Sequence, residues 1–253
     1  MDTFDIVILL GKNDECIIEK QLEYTRKNII GYRNIYIIPA DRNINIDGCI
    51  MILEDIFPFS VDTIRDIYKV TEKSNKTWYL QQLLKLYACV TIPDILDKYL
   101  VIDADTFFIN PTYFVENGKC LYNYNNYPDS IHLPYFQHIK NLFPEINMIE
   151  YHISAVTHHM IFETKYIREM FKKSEDIYNE PFYVSFLKSV PEHYQESAGG
   201  ASEYELYFNY MINYHLDKIK LRKLSFINAF TLRILKNTEL YDYISYHWYS
   251  RND

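Results

Sequence analysis

The sequence predicts an α/β fold built on a buried, mostly parallel sheet, and three observations carry that prediction. The first forty residues alternate apolar run, polar turn, helical stretch and apolar run. The runs are apolar on both faces, as parallel strands covered by helices must be. A later run of the same kind ends in two aspartates one residue apart.

The first strand is read over Ile6 to Leu10, with Gly11-Lys12-Asn13-Asp14 as the turn behind it. After a helical stretch, Ile35-Tyr36-Ile37-Ile38 forms the second strand and ends at Pro39; a third, short strand covers Ile50 to Leu53. From Trp78, the residues Leu80, Leu83, Leu84 and Tyr87 fall at i, i+3, i+4 and i+7, which defines one apolar helical face. That face turns Gln81, Lys85 and Gln82 away from the core. Pro93 ends the helix, and Tyr99-Leu100-Val101-Ile102 is the next buried strand, running straight into Asp103-Ala104-Asp105-Thr106.

Beyond Pro111 the Tyr/Asn-rich stretch from Leu121 to Tyr135, with Pro128 and Pro134, reads as loop and short edge strand. Helices are expected over 164–178 and 202–214, and strand-like segments over 153–162 and 218–226. No repeat, long charge run or Ser/Gly linker divides the chain. Residues 1–253 are therefore read as a single domain, with a smaller antiparallel part in the C-terminal half.

Composition excludes several functions. The chain has 253 residues and a net charge of −8, which argues against a nucleic-acid groove or a general anionic-membrane surface, since both rest on clustered cations. The six glycines lie at 11, 31, 48, 118, 199 and 200, so neither a G-x-G-x-x-G fingerprint nor a G-x-x-x-x-G-K-[ST] phosphate loop can be written. Cys16, Cys49, Cys89 and Cys120 are too far apart for a zinc knuckle or a redox pair and read as free thiols in a reducing compartment. Acids flank the short N-terminal apolar run, the wrong sign and length for a signal peptide, and no segment reaches the roughly 18 apolar residues of a membrane span. The expectation is a cytoplasmic protein without a membrane span.

Asp103 and Asp105 carry the strongest chemical signal. Open α/β sheets bind ligands at the carboxyl ends of their strands, and two carboxylates desolvated there repel each other unless a cation neutralises them. Hard oxygen donors of this kind suit Mg²⁺ or Mn²⁺, which bridge to substrate phosphates. A helix cap or a surface turn would also place acids after a strand. His158 and His159 follow a strand-like run, where alternation sends one to each face, one toward a candidate site and the other into the core. Gly199-Gly200 suits a loop passing close to a substrate, or an ordinary flexible connection. Trp78 and the tyrosines from Tyr122 to Tyr127 are candidate sugar-stacking rings or core.

A β-α-β start, VIDADTFFINP, then THHMIF, then SEYELYFNYM resembles, in that order, the GT-A-fold glycosyltransferases that use nucleotide-sugar donors. The set is most similar to an uncharacterised glycosyltransferase-like branch found in bacteria and large DNA viruses. The resemblance spans about residues 4 to 248. It implies a GT-A-like, Rossmann-like domain with a nucleotide-binding half at about 1–110 and an acceptor-binding half at about 111–253. It also implies a metal-dependent transferase that moves a sugar from a nucleotide sugar, UDP-sugar first, to a glycan or other hydroxyl.

Carried over by position, the resemblance places Asp103, Ala104 and Asp105 on the donor, with Mn²⁺ or Mg²⁺ held by Asp103, Asp105 and His247. His247 in YISYHWY reads equally as an ordinary histidine among aromatics. Gly11, Lys12 and Asp14 would meet the nucleoside, and Lys85 the donor phosphates or the motif carboxylates; a solvated turn and a solvent-facing lysine are the alternatives. Glu203 is assigned as catalytic base or acceptor ligand, because Ser202 and Glu205 already make a capping box. His158, His159, Gly199 and Gly200 are placed on the acceptor side. Two other readings stand beside the transferase. One is an aspartyl-nucleophile phosphatase, since Asp103-Ala-Asp105-Thr106 matches D-x-D-x-T, although no later Gly-Asp or Asp-Asp pair is present. The other is an inactive sugar- or partner-binding module on the same fold.

Overall fold

A computed structural model describes residues 3–69, 76–126, 132–147, 153–195, 199–236 and 240–251. Tyr127 and Pro128, which belong to the expected Tyr/Asn-rich loop, lie outside these residues.

Strand β1 (Phe4–Leu10) is followed by a short turn over Lys12–Asp14, helix α1 (Ile18–Asn28), β2 (Tyr32–Pro39) and the brief β3 (Ile50–Met51). Helices α2 (Val61–Tyr68) and α3 (Lys76–Thr91) lead into β4 (Lys98–Ile102) and β5 (Thr106–Phe108). Then come β6 (Lys119–Asn123), α4 (Leu133–Leu142), β7 (His159–Glu163), α5 (Thr164–Tyr178), α6 (Phe182–Lys188) and α7 (Glu203–His215). The described chain closes with β8 (Ile219–Arg222), β9 (Phe226–Asn228) and β10 (Tyr243–Ser245).

The main sheet runs β7-β4-β1-β2-β3, parallel except for β7. In β1 the consecutive residues Ile6, Val7 and Ile8 are all fully buried; since neighbours point to opposite faces, both faces of the sheet are covered. Helices α3 and α5 pack on it. This is the α/β architecture the sequence predicts. Among the described residues no helix is long and apolar enough to cross a membrane.

The expected antiparallel part takes a different form. Two small sheets are mixed: β10 pairs antiparallel with β5 but parallel with β9, and β8 pairs parallel with β6. Long connections return these strands in the same direction, which no local pattern records. The proposed halves also interleave, because β7 of the second half completes the main sheet and α7 packs against α3 of the first.

Helices α2, α4 and α6 escape the periodicity reading. Helix α2 spans only eight residues, and its start is set by reciprocal bonds: Ser60 Oγ accepts from Thr63 N, and Thr63 Oγ1 from Ser60 N. Helix α4 begins where Pro134 suggests a loop. Proline is tolerated in a first helical turn, whose N–H groups have no intrahelical partner.

Candidate functional site

The Asp103-Ala104-Asp105 turn is pinned from several directions at the carboxyl end of β4. Asp103 N donates to the carbonyl of His158 at 3.0 Å, and Thr106 N closes the turn on the Asp103 carbonyl at 2.9 Å. Tyr246 N donates to the Asp105 carbonyl at 2.8 Å. From α1, the Gln21 amide donates to the Thr106 carbonyl at 3.0 Å. Because β10 pairs with β5, the chain leaving β10 delivers His247 beside the motif.

The two aspartates then diverge. Asp103 Oδ1 accepts from Lys85 Nζ at 2.7 Å and from Tyr204 Oη at 2.9 Å. Lys85 Nζ also lies 2.7 Å from Glu203 Oε1 and 4.4 Å from the centre of the Tyr204 ring. One buried ammonium thus joins α3, the motif and the first turn of α7. Burial lowers the Lys85 pKa, but Asp103 and Glu203 outweigh it and hold it above the ordinary value. Burial likewise opposes ionisation of Asp103; the charge of Lys85 above all, with His158 alongside, reverses that and keeps the carboxyl well below the usual carboxylate range. For Glu203 burial wins over Lys85, and its pKa is raised.

Two expectations change here. Lys85 and Gln82 do not point to solvent: both are buried, Lys85 on the motif and Gln82 accepting from the Glu203 backbone N–H at 3.2 Å. The extra helical face they occupy is covered by α7, which a reading of α3 alone does not contain. Glu203, expected to face an acceptor, has a 1% exposed side chain closed on Lys85. It is placed to position the lysine.

Asp105 meets His247 instead. His247 Nδ1 lies 2.9 Å from Asp105 Oδ2. Burial disfavours the imidazolium, but the Asp105 contact prevails and raises the His247 pKa. Asp105 Oδ1 is buried and has no hydrogen-bond partner among the described residues. The C-terminal segment is latched to the first loop by Arg251, which pairs with Asp14 and donates to the Asn13 carbonyl at 2.6 Å and to the Tyr246 carbonyl at 3.0 Å.

Among the described residues no group of three His, Cys, Asp or Glu side chains is gathered so as to hold a metal ion. Two donors do converge, Asp105 and His247, and the bare Asp105 Oδ1 is an oxygen donor awaiting a partner. Such a pair fits a hard divalent cation of the kind bound through one or two carboxylates with substrate phosphates completing its shell. Asp103, expected as a third ligand, has one oxygen committed to Lys85 and Tyr204 and the other 3.7 Å from His158 Nδ1.

The remaining expected residues sort by burial. Gly11 and the exposed Lys12 lie on the first loop with Asp14, which is spent on Arg251. Burial raises the Asp14 pKa against the pull of Arg251, and the nearby charges of Asp105 and Asp103 add to the rise, so this loop borders the motif. His158 and His159 do part company. His158, at φ 65°, turns toward Asp103, its ring centre 4.9 Å from that of His247. His159 is buried among Phe108, Phe114 and Tyr243, which removes it from an acceptor site.

Gly199 has φ +95°, a conformation that favours glycine. Gly200 is glycine because of packing, not because a substrate approaches: a Cβ there would lie 2.6 Å from Tyr79 Oη and 2.7 Å from Tyr194 Cβ. Trp78, a candidate sugar platform, donates its indole N–H to the Ala201 carbonyl at 2.9 Å and so holds this loop to α3. Tyr122 is fully buried against Tyr207. Gly200→Ala is expected to cost about 2 kcal/mol through overpacking. Thermal unfolding tests this; an unshifted midpoint would show that the loop yields.

Ser202 caps α7, accepting from Glu205 N at 3.4 Å, but Glu205 does not reach back to complete the expected box. Its carboxylate is fully buried, accepting from Ser154 Oγ at 2.5 Å, Ala155 N at 3.1 Å and Asn209 Nδ2 at 2.8 Å. Burial pushes its pKa up to about 7 despite these donors. A carboxyl raised on folding favours the folded state when protonated, so its contribution is full below the unfolded value and is lost as pH rises toward 7. Glu205→Gln is expected to flatten the fall of wild-type stability between about pH 5 and 7. Melts of the two proteins over that window check this, and parallel curves would refute it.

Tyr204 and Arg251 are the functional residues that sequence reasoning missed. Tyr204 sits inside Ser202-Glu203-Tyr204-Glu205, between two acids, and Arg251 follows the aromatic tail with no local signal.

The sequence profile described as "Family of unknown function (DUF6492)" matches residues 32–249. No curated protein matches the chain. Similar solved structures include mouse xyloside xylosyltransferase 1 in its apo form, 10% identical with TM-score 0.46, covering 99% of this chain and 100% of that one. The apo bifunctional glycosyltransferase WbbM is 10% identical with TM-score 0.48, over 96% of this chain and 45% of that one. The galactosyltransferase LgtC, with donor and acceptor sugar analogues, is 12% identical with TM-score 0.40, over 96% and 86%. Nothing about activity follows from likeness at this level.

Proposed function

The chain belongs to a family of unknown function, DUF6492, so its activity must be read from its own side chains, and we propose a metal-dependent glycosyltransferase on a GT-A-like fold. The donor is a nucleotide sugar, UDP-sugar first, and the acceptor a hydroxyl of a glycan or other molecule. One observation carries the reading: Asp105 Oδ1 is buried and bare beside His247, at the carboxyl end of a parallel sheet.

Asp105 and His247 would hold Mn²⁺ or Mg²⁺, with Asp103 behind them. When bound, the cation neutralises the diphosphate whose charge grows as the sugar leaves. The chain's own residues set that stage. Lys85 and Tyr204 keep Asp103 ionised and fixed. Glu203 holds Lys85 from the other side as a positioning residue. Arg251 keeps the segment carrying His247 against the first loop, whose Gly11 and Lys12 border the space for the nucleoside. His158, turned to the motif, lines the sugar side.

A phosphatase would use Asp103 as nucleophile, but its Oδ1 is engaged by two donors. Thermal shift with Mn²⁺ and UDP, separately and together, tests the transferase reading. The expected result is stabilisation by UDP that requires Mn²⁺, followed by Mn²⁺-dependent hydrolysis of one nucleotide sugar in a donor screen. Metal-independent UDP binding, or none, would refute the proposal; binding without turnover of any donor would favour the inactive module.

A further inference from the structure

Arg222, at the end of β8, is a half-buried cation that the proposed transferase site does not use. Its guanidinium lies 4.8 Å from the centre of the Phe114 ring, and Nη1 donates to the Tyr113 carbonyl. Nε and Nη2 are buried with no hydrogen-bond partner among the described residues. Those two N–H groups form the side edge of the guanidinium, the planar fork that grips a carboxylate through two parallel bonds.

The chain contains the filled version of the same device. Arg33 uses Nε and Nη2 on the two oxygens of the fully buried Asp5 carboxylate, at 3.0 and 2.6 Å. In Arg222 the equivalent edge meets no partner among the described residues.

The residue lines a cleft of about 430 Å³ together with Thr112, Tyr113, Leu121, Leu224 and Asp242. That is within the size range of small-molecule sites. The acids nearby do not fill the fork: Asp242 Oδ2 accepts from Ser225 N at 2.7 Å, and Glu116 pairs with Lys220, so both reach Arg222 only through their charge. Burial lowers the Arg222 pKa to about 10, partly offset by Asp242, and the group stays charged at neutral pH.

We propose that this cleft binds a small molecule carrying a carboxylate, whose two oxygens occupy the Nε/Nη2 fork of Arg222 while its body lies against Leu121, Leu224 and Tyr113. Asp242 and Glu116 on the cleft wall set the charge preference: a single negative charge is accommodated, and a phosphate dianion is repelled. The site is separate from the Asp103/Asp105 centre. Asp242 and His247 stand at opposite ends of β10, about 16 Å apart along an extended strand. It is also independent of the transferase reading, since a chain without transfer activity would still bind.

The test titrates the full chain, ¹⁵N-labelled at arginine, with acetate, glucuronate, inorganic phosphate and methyl glucoside, following the Arg222 Nε–H resonance assigned through its own backbone. Acetate and glucuronate are expected to shift it saturably, phosphate at least about tenfold more weakly because Asp242 and Glu116 repel its second charge, and methyl glucoside not at all. Arg222→Lys, which keeps the charge but loses the fork, is expected to lose the thermal stabilisation by glucuronate while keeping any Mn²⁺-dependent response to UDP. If that variant does not fold, the wild-type titration decides alone. No shift with either carboxylate, tighter binding of phosphate, or unchanged glucuronate binding by Arg222→Lys would each overturn the proposal.

Discussion

Asp105→Asn is expected to leave the fold intact and to lower sugar transfer by about a hundredfold or more, the size of effect seen when one preorganised electrostatic contact is removed. The asparagine keeps a carbonyl oxygen for His247 and a backbone carbonyl for Tyr246 N, so the turn retains its two anchors. What it loses is the negative charge and the second oxygen, the one now bare and buried. The measurements are circular dichroism, thermal unfolding, and transfer rate across a Mn²⁺ series. An unchanged rate in metal-controlled buffer would remove Asp105 from the metal site.

Lys85→Met has its largest effect on stability. The ammonium it removes sits between Asp103 and Glu203 at 2.7 Å each, in a site only 9% exposed on the lysine side. The buried Glu203 and the partly buried Asp103 would be left without their cation, a loss of about 3–5 kcal/mol. For a chain of this size that is a fall of roughly 10 °C in melting temperature. The pH dependence has a definite sign. In the wild type the Asp103 pKa is depressed, so its contribution is present above the unfolded value and lost as pH falls through the folded one. Without Lys85 both carboxyls are raised, and the penalty grows as pH rises. The gap between variant and wild type should therefore be wider at about pH 8 than at about pH 5. Adding Glu203→Gln should recover part of the loss. An equal gap at both pH values, or full additivity, would mean that the triad is not the source.

How much of this was legible depended on whether a signal was local. The strands β1, β2 and β4 and the helices α1, α3 and α5 announce themselves because each buries a periodic or continuous apolar surface. The Asp103/Asp105 pair was legible for the same reason: it terminates such a run. Lys85 was recognised as a partner of the motif carboxylates only through resemblance, and its periodicity pointed to solvent. A helix reports one buried face, whereas α3 is covered by the sheet on one side and by α7 on another. Gly200 shows the converse. Its place in the sequence suggested a substrate, and its neighbours Tyr79 and Tyr194, from elsewhere in the chain, supply the reason.

By itself the sequence determined the α/β class, the succession of the main strands along the chain and the strand end that carries two carboxylates, because apolar period and strand termination are properties of consecutive residues. Only the tertiary structure decided that the two aspartates serve different partners, Asp103 joining Lys85 and Glu203, Asp105 joining His247. It likewise decided that Asp5 fills the Arg33 fork while the Nε/Nη2 edge of Arg222 meets no partner among the described residues. The reason is physical: the partner of a buried charge is chosen by desolvation and by distances of a few ångströms between segments far apart in the chain, and composition and spacing carry no record of either.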